Sequence, residues 1–223
     1  MIEINTNKAS LTLYFILILI WSGCAKHKPK ILIVGDSISL GYTPYVREDL
    51  QGIAEVYHNR GNAQHTGTGL DSIETWIGTK DWDIIQFNWG LWDLCYRHPD
   101  SKTQGNRDKV HGTITYMLED YGKNLDSIVQ WMKAKSDAKL IFVTTTYVPE
   151  DEAGRYQEDA IRYNQLAKRI MEENGVAIND IYEASRRIHR HYGKDSGDVH
   201  YLPEGYRALA KEIADFLKGE MSH

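Results

Sequence analysis

Three side chains far apart in the chain have the types needed for acyl transfer: Ser37, in the run ILIVGDS, and Asp198 with His200, in GDVHYLPEGY. A serine hydroxyl is a weak nucleophile until a base takes its proton, and an imidazole is a better base when a carboxylate fixes its tautomer and stabilises the imidazolium. Ser37 follows an aliphatic run closed by Gly35 and Asp36, so a turn there would present its hydroxyl at the carboxyl end of a strand. Gly-Asp-Ser alone is ordinary turn chemistry. The distant Asp-Val-His supplies the other two roles. Two aspartates compete for the acid: a tight turn can bring Asp198 to the imidazole Nδ1, whereas Asp195 needs a wider loop, and either can instead cap the last helix or face water.

Such a set requires a frame that brings both ends of the chain to one edge. From Lys30 onward short β-branched runs alternate with longer amphipathic stretches, the signature of βαβ units around a parallel sheet. The runs Ile31–Val34, Ile53–Tyr57, Asp83–Phe87, Leu140–Thr144 and Val176–Ile178 predict five strands in an open α/β sandwich. Ile114, Met117, Leu118, Tyr121, Leu125, Ile128, Val129 and Met132 recur at helical spacing and predict one long helix. Pro203 suits a helix N1 position, with Tyr206, Leu209, Ala210, Ile213 and Leu217 on one face behind it. Gly67-Thr68-Gly69 lacks a phosphate-loop frame and reads as the start of a helix carrying Leu70, Ile73 and Ile77. The functional site of such a sheet lies at the carboxyl ends of its strands. The polar, aperiodic stretch Cys95–Gly112 then reads as a loop flanking that site.

Composition narrows the classes. With 31 acidic against 26 basic residues the formal charge is −5, which excludes a basic nucleic-acid footprint, so no nucleic-acid partner is expected. A 42% hydrophobic content with only five prolines supports a packed core, here one domain over 31–223. Two cysteines make no disulfide framework, and Cys95 reads as a small buried residue. The nine histidines do not suggest a metal site: His189 and His191 are two apart on a helix and share no face, and neither HExxH nor CxxC occurs. Both read as solvated surface, and no metal or cofactor is expected. The tryptophans are expected in the core, except Trp89 and Trp92, which flank Gly90 and are assigned to a binding cleft.

The apolar run Leu11–Trp21 is shorter than the roughly 20 residues of a membrane span. It ends in Ser22-Gly23-Cys24, and residues 1–23 read as a secretory signal peptide of lipoprotein type, with Cys24 as the lipidated terminus and 24–30 as a polar tether. The motif is similar to a bacterial lipobox, with Trp21 where that pattern usually has leucine. The expected location is the cell envelope, on a membrane anchor facing the periplasm or the cell surface.

GDSISLGY around Ser37, FNWGLWDL in the third strand and its loop, and DVHYLPEGY before the last helix occur in an order that resembles the GDSL, or SGNH, hydrolase family from Ile31 to the C-terminus. The resemblance implies a flavodoxin-like, three-layer α/β/α sandwich with a five-stranded parallel sheet. It also implies ester hydrolysis through an acyl-serine without a metal, with Ser37 as nucleophile and His200 as general base. Three departures stand out. The family's acid usually lies three residues before the histidine, where this chain has Gly197. Gly90-Leu91-Trp92-Asp93 replaces Gly-x-Asn-Asp, so Trp92 occupies the place of an asparagine that helps to hold the oxyanion; its indole N–H can donate one hydrogen bond, it can alternatively form a sugar-stacking wall, and Asn88 is a rival donor. In NRGNAQHTGTGL the family's glycine donor falls near Asn62, Ala63 or Gln64, with Gly61 in reach if the loop differs by a residue or two. A backbone N–H needs no particular side chain.

The expected oxyanion donors are therefore Ser37 itself, Asn62, Ala63 or Gln64, and Trp92 or Asn88; Asp36, Trp89, Gly90 and Asp93 are expected to shape substrate binding. The substrate implied is a small acyl ester, an O-acetyl group on carbohydrate foremost. Two alternatives stay open: a lysophospholipase or thioesterase acting on longer chains, and a non-catalytic glycan-binding surface lipoprotein.

Overall fold

The computed structural model describes residues 27–100 and 106–222. The expected signal peptide and Cys24 lie outside these residues. In chain order the elements are β1 (Lys30–Val34), α1 (Ser37–Asp49), β2 (Glu55–His58), α2 (Thr66–Ile77), β3 (Ile84–Phe87), β4 (Tyr96–Arg97), β5 (Thr113–Ile114), α3 (Leu118–Lys135), β6 (Lys139–Val143), α4 (Gln157–Asn174), β7 (Ala177–Asn179), α5 (Tyr182–Tyr192) and α6 (Pro203–Met221). Lys30, expected in the tether, opens β1, and the His27 imidazole lies 3.1 Å from the Asp83 carboxylate.

All five long strands pair in parallel in the order β2-β1-β3-β6-β7. The three central strands β1, β3 and β6 are, apart from Gln86 and the lysines that open β1 and β6, runs of Ile, Leu, Val and Phe, because both faces of a parallel sheet are covered by helices. Helix α6 packs against α1 and α5, and α3 against α2 and α4. The chain leaves β1 toward β2 and then crosses back past β1 to β3, so the strand order reverses between β1 and β3. A reversal of this kind opens a crevice outside the carboxyl ends of the two strands. The segments leaving those ends are Gly35–Ser37 and Asn88–Asp93.

Two elements start later than the sequence reading by two residues or more. Ile53 is exposed and belongs to the turn after α1, its N–H donating to Leu50 O at 2.9 Å, so β2 begins two residues later. Ile114 pairs with Tyr96 in the short β4–β5 ribbon and Met117 is an exposed, extended N-cap, so α3 begins at Leu118. The ribbon is closed at its base by the Thr115 N–H on Cys95 O and the Tyr116 N–H on Asp93 O, both 3.0 Å. The aperiodic stretch after β3 is thus partly ordered by pairing that its polar composition does not advertise.

Candidate active site

Ser37 is the first residue of α1, and Asp36 is the N-cap, its Oδ1 accepting the Ile38 N–H at 2.9 Å. The Ser37 N–H lies in the first helical turn, where no intrahelical carbonyl can take it, and stays available for an anion. Asp36 lines the cleft yet is almost fully buried. Burial raises its carboxyl pKa, opposed by the Ile38 N–H and by the charges of Arg155 and His200. Its contacts make it the support of the Ser37 turn.

The loop before α6 carries the other two groups. Ser37 Oγ lies 2.9 Å from His200 Nε2, and His200 Nδ1 lies 2.5 Å from Asp198 Oδ1, which also accepts the backbone N–H of His200 at 3.0 Å. A carboxylate on Nδ1 fixes the tautomer in which Nε2 accepts the proton of the serine hydroxyl. Burial alone would raise the Asp198 carboxyl, but the two hydrogen bonds from His200, its charge and Lys194 outweigh it and hold the group at about 2. Asp195 instead accepts the Gly197 N–H at 2.8 Å in an exposed turn. Of the two candidate acids, Asp198 is the one that reaches the imidazole.

This loop is braced from α5. His189 is buried and its Nε2 lies 2.7 Å from the main-chain oxygen of Asp198, while the Lys194 N–H donates to His200 O at 2.9 Å. The expectation of a solvated His189 is corrected; His191 does face solvent. The clue was spacing, since Ser185 and His189 stand four apart on the buried face of α5.

The expected oxyanion donors fare unequally. The Ala63 N–H is fully buried and donates to Gly35 O at 2.9 Å, and the Gln64 N–H is taken by Asn62 Oδ1 at 2.8 Å. Gln64 is nonetheless the one non-glycine among the described residues with a left-handed φ, +50°, marking the point in this loop where a glycine would sit without strain. Asn88 turns toward the sheet and donates from Nδ2 to Val143 O at 2.8 Å, beside a small internal void and away from the cleft lining. Trp92 does stand on the cleft wall, half-buried, with the Arg97 guanidinium 5.0 Å from its ring centre.

Three residues expected to meet substrate are instead structural. Trp89 is packed in the core against Phe87, with its indole N–H on Ala63 O at 3.2 Å. Gly90 has φ +148°, and a Cβ there would stand 2.0 Å from Thr145 Oγ1, so it permits the exits of β3 and β6 to touch. Asp93 is fully buried; its Oδ1 accepts the Thr66 N–H at 2.9 Å and the Thr66 hydroxyl at 2.5 Å, tying the loop after β3 to the start of α2.

Among the described residues Asp93 Oδ2 has no hydrogen-bond partner, and burial pushes this carboxyl up to about 7. A folded-state value above the ordinary 3.8 means that the native protein holds a proton which the unfolded chain has released, so this contribution is full below about pH 4 and is lost as pH rises through about 7. The urea midpoint of the wild type is expected to fall between pH 5 and pH 8, by up to a few kcal/mol of stability, and Asp93→Asn to flatten that fall. Equal slopes in the two proteins would refute the assignment.

The model of the GDSL-like lipase/acylhydrolase family matches residues 33–208, from inside β1 to inside α6. The chain belongs to this family. It is accordingly an ester-hydrolysing enzyme of the GDSL, or SGNH, type. The fold is shared with solved structures of low identity. An acetyl xylan esterase, AlAXEase, is 17% identical over 84% of this chain and 99% of its own, at a TM-score of 0.67. A lipase/acylhydrolase from Enterococcus faecalis is 18% identical over 86% and 96%, at 0.68. Axe2, an acetylxylan esterase from Geobacillus stearothermophilus, is 20% identical over 84% and 93%, at 0.66. No curated protein matches the chain in sequence.

In this acylhydrolase the cleft beside Ser37 and His200 has a volume of about 220 Å³, with Leu91, Trp92 and Val199 as its apolar lining. Sequence reasoning missed the rest of its wall: Arg97 from β4, Arg107 opposite it, and Arg155 from the segment before α4. Arg155 donates from Nε to Leu91 O at 2.6 Å and from Nη1 to Glu152 Oε1 at 2.9 Å, and Arg107 Nη1 reaches the same oxygen at 2.5 Å. Glu152 is fully buried beneath the pair.

Proposed function

We propose that the enzyme is a serine esterase that removes short acyl groups, O-acetyl foremost, from carbohydrate through an acyl-Ser37 intermediate. The observation that carries this reading is the Ser37–His200–Asp198 relay, with spacings of 2.9 and 2.5 Å, opening on a cleft of only about 220 Å³. His200 Nε2 takes the proton of Ser37 as its Oγ attacks the ester carbonyl, and Asp198 steadies the imidazolium. The Ser37 N–H, unclaimed in the first turn of α1, faces the developing oxyanion. His200 then returns the proton to the departing alcohol, activates a water against the acyl-serine, and carboxylate is released. Relatives of the same fold described as acetyl xylan esterases favour a sugar acceptor, and a half-buried tryptophan suits a pyranose face.

Lipolysis on long chains calls for an apolar channel, whereas this wall is rich in guanidinium. A purely glycan-binding role leaves the serine–histidine–aspartate relay without a purpose. Residues 1–23 and Cys24 are read as an export signal and lipid anchor, which would hold the esterase in the cell envelope, facing the periplasm or the cell surface. The test is chain length. With residues 25–223, kcat/KM on p-nitrophenyl esters is expected to fall about tenfold or more from acetate to octanoate, because each added methylene must find apolar cover. A rise with chain length would favour the lipolytic alternative.

A further inference from the structure

The chain enters the fold at the end of the sheet opposite the cleft. Pro29 O accepts the Glu55 N–H at 2.8 Å and Lys30 O accepts the Asp83 N–H at 3.0 Å, so the backbone is fixed between the starts of β2 and β3 from Pro29 onward. The Asp83 carboxylate gathers the same segment, taking the Lys30 N–H at 2.7 Å and lying 3.1 Å from the His27 imidazole. In the strand order β2-β1-β3-β6-β7 this root stands near the middle of the sheet, on the two strands whose carboxyl ends open the cleft. Strands that pair in parallel all start on one side, so the turns leading from α1 to β2, from α2 to β3 and from α3 to β6 share a face with the root. Their tips, Gly52 and Ile53, Thr79 and Lys80, and Asp137, are exposed. Ser37, Trp92 and His200 lie at the other end.

We propose that the lipid anchor read at Cys24 holds the enzyme with this amino-end face toward the bilayer and the cleft turned away from it. The inference rests on the anchor reading and goes beyond the esterase one. Cys24 is five residues before Pro29, so the tether reaches at most about 17 Å at full extension. β1 alone, with five residues, separates the root from the cleft by about 17 Å. Were the cleft to rest on the bilayer, the tether would have to descend that height after first clearing the flank of the domain, about 20 Å from the sheet axis in a globule of this length. That path is about twice the tether's full extension. The contact of His27 with Asp83 shortens the free length further, to the residues between Cys24 and His27. An ester borne by a glycan on the far side of the enzyme thus meets Ser37, and an ester in the leaflet that holds the anchor does not.

Single cysteines test the orientation in the full chain, processed in the cell and reconstituted in phosphatidylethanolamine–phosphatidylglycerol vesicles. Thr79→Cys and Asp137→Cys mark the amino-end face, while Val110→Cys and Glu150→Cys mark the segments that leave the carboxyl ends of β3 and β6; all four positions are exposed, and the native Cys95 is buried. Each variant is labelled with bimane, lipid carrying a nitroxide on its headgroup serves as a contact quencher, and retained turnover of a soluble ester is the control for folding. Quenching at positions 79 and 137 is expected to exceed that at 110 and 150 several-fold. A Gly/Ser insert of about 30 residues before His27, spanning about 30 Å, is expected to level the four signals. The reverse order, or equal quenching with the native tether, would overturn the orientation. A contrast that survives the insert would overturn the short tether as its cause. A chain that carries no lipid on Cys24, or that leaves the membrane in an alkaline wash, would overturn the anchor reading and this inference with it, whereas the esterase reading stands or falls separately on Ser37-dependent turnover by residues 25–223.

Discussion

Alanine at position 37 is expected to lower kcat/KM on any accepted ester by about 10⁴-fold or more, because the variant retains the cleft and the imidazole but has no atom to form the acyl bond. The fold is expected to survive. The cap of α1 is the Asp36 side chain, on the Ile38 N–H at 2.9 Å, so Ser37 contributes little to the helix end. A melting temperature within a few degrees of wild type, beside lost turnover, would locate the defect in chemistry. Near-normal turnover with retained folding would place the nucleophile elsewhere.

The second large effect separates two neighbouring aspartates. Asp198→Asn is expected to cost about 10³- to 10⁴-fold in kcat, since an amide facing Nδ1 favours the tautomer whose Nε2 already carries a proton and cannot accept one from Ser37. Asp195→Asn is expected to stay within about twofold, because its recorded role is to accept the Gly197 N–H in an exposed turn. With the Asp198 carboxyl held at about 2, it is ionised wherever esters are ordinarily assayed, so its protonation does not set the acid limb of the rate profile. Steady-state kinetics of the two variants from pH 5 to 9 makes the comparison. Equal losses would mean that the loop as a whole, rather than one carboxylate, supports His200.

The frame was readable wherever burial imposes a pattern. ILIV of β1, KLIFV of β6 and the helix opened by Pro203 carry their own signal, since a strand covered on both faces must be apolar throughout and proline is suited to N1. Ser37 and His200 were legible because they sit at the ends of such elements. What the sequence could not convey was direction. Asn88, Trp89 and Asp93 follow one strand end within six residues, yet the loop turns Asn88 toward Val143, Trp89 into the core and Asp93 toward Thr66. From the same segment, Leu91 and Trp92 line the cleft. Arg107 and Arg155 were hidden for a different reason: they come from irregular segments whose charge reads as solvated loop, and their convergence on Glu152 is a long-range fact with no local period.

The most direct measurement is mass-spectrometric mapping of the chain after reaction with a fluorophosphonate, which traps an activated serine covalently. A single adduct is expected on the peptide containing Ser37, formed at a rate that falls steeply in His200→Ala because the hydroxyl then has no base. Robust ester turnover with Ser37 unmodified, or an adduct confined to another residue, would contradict the serine-esterase mechanism.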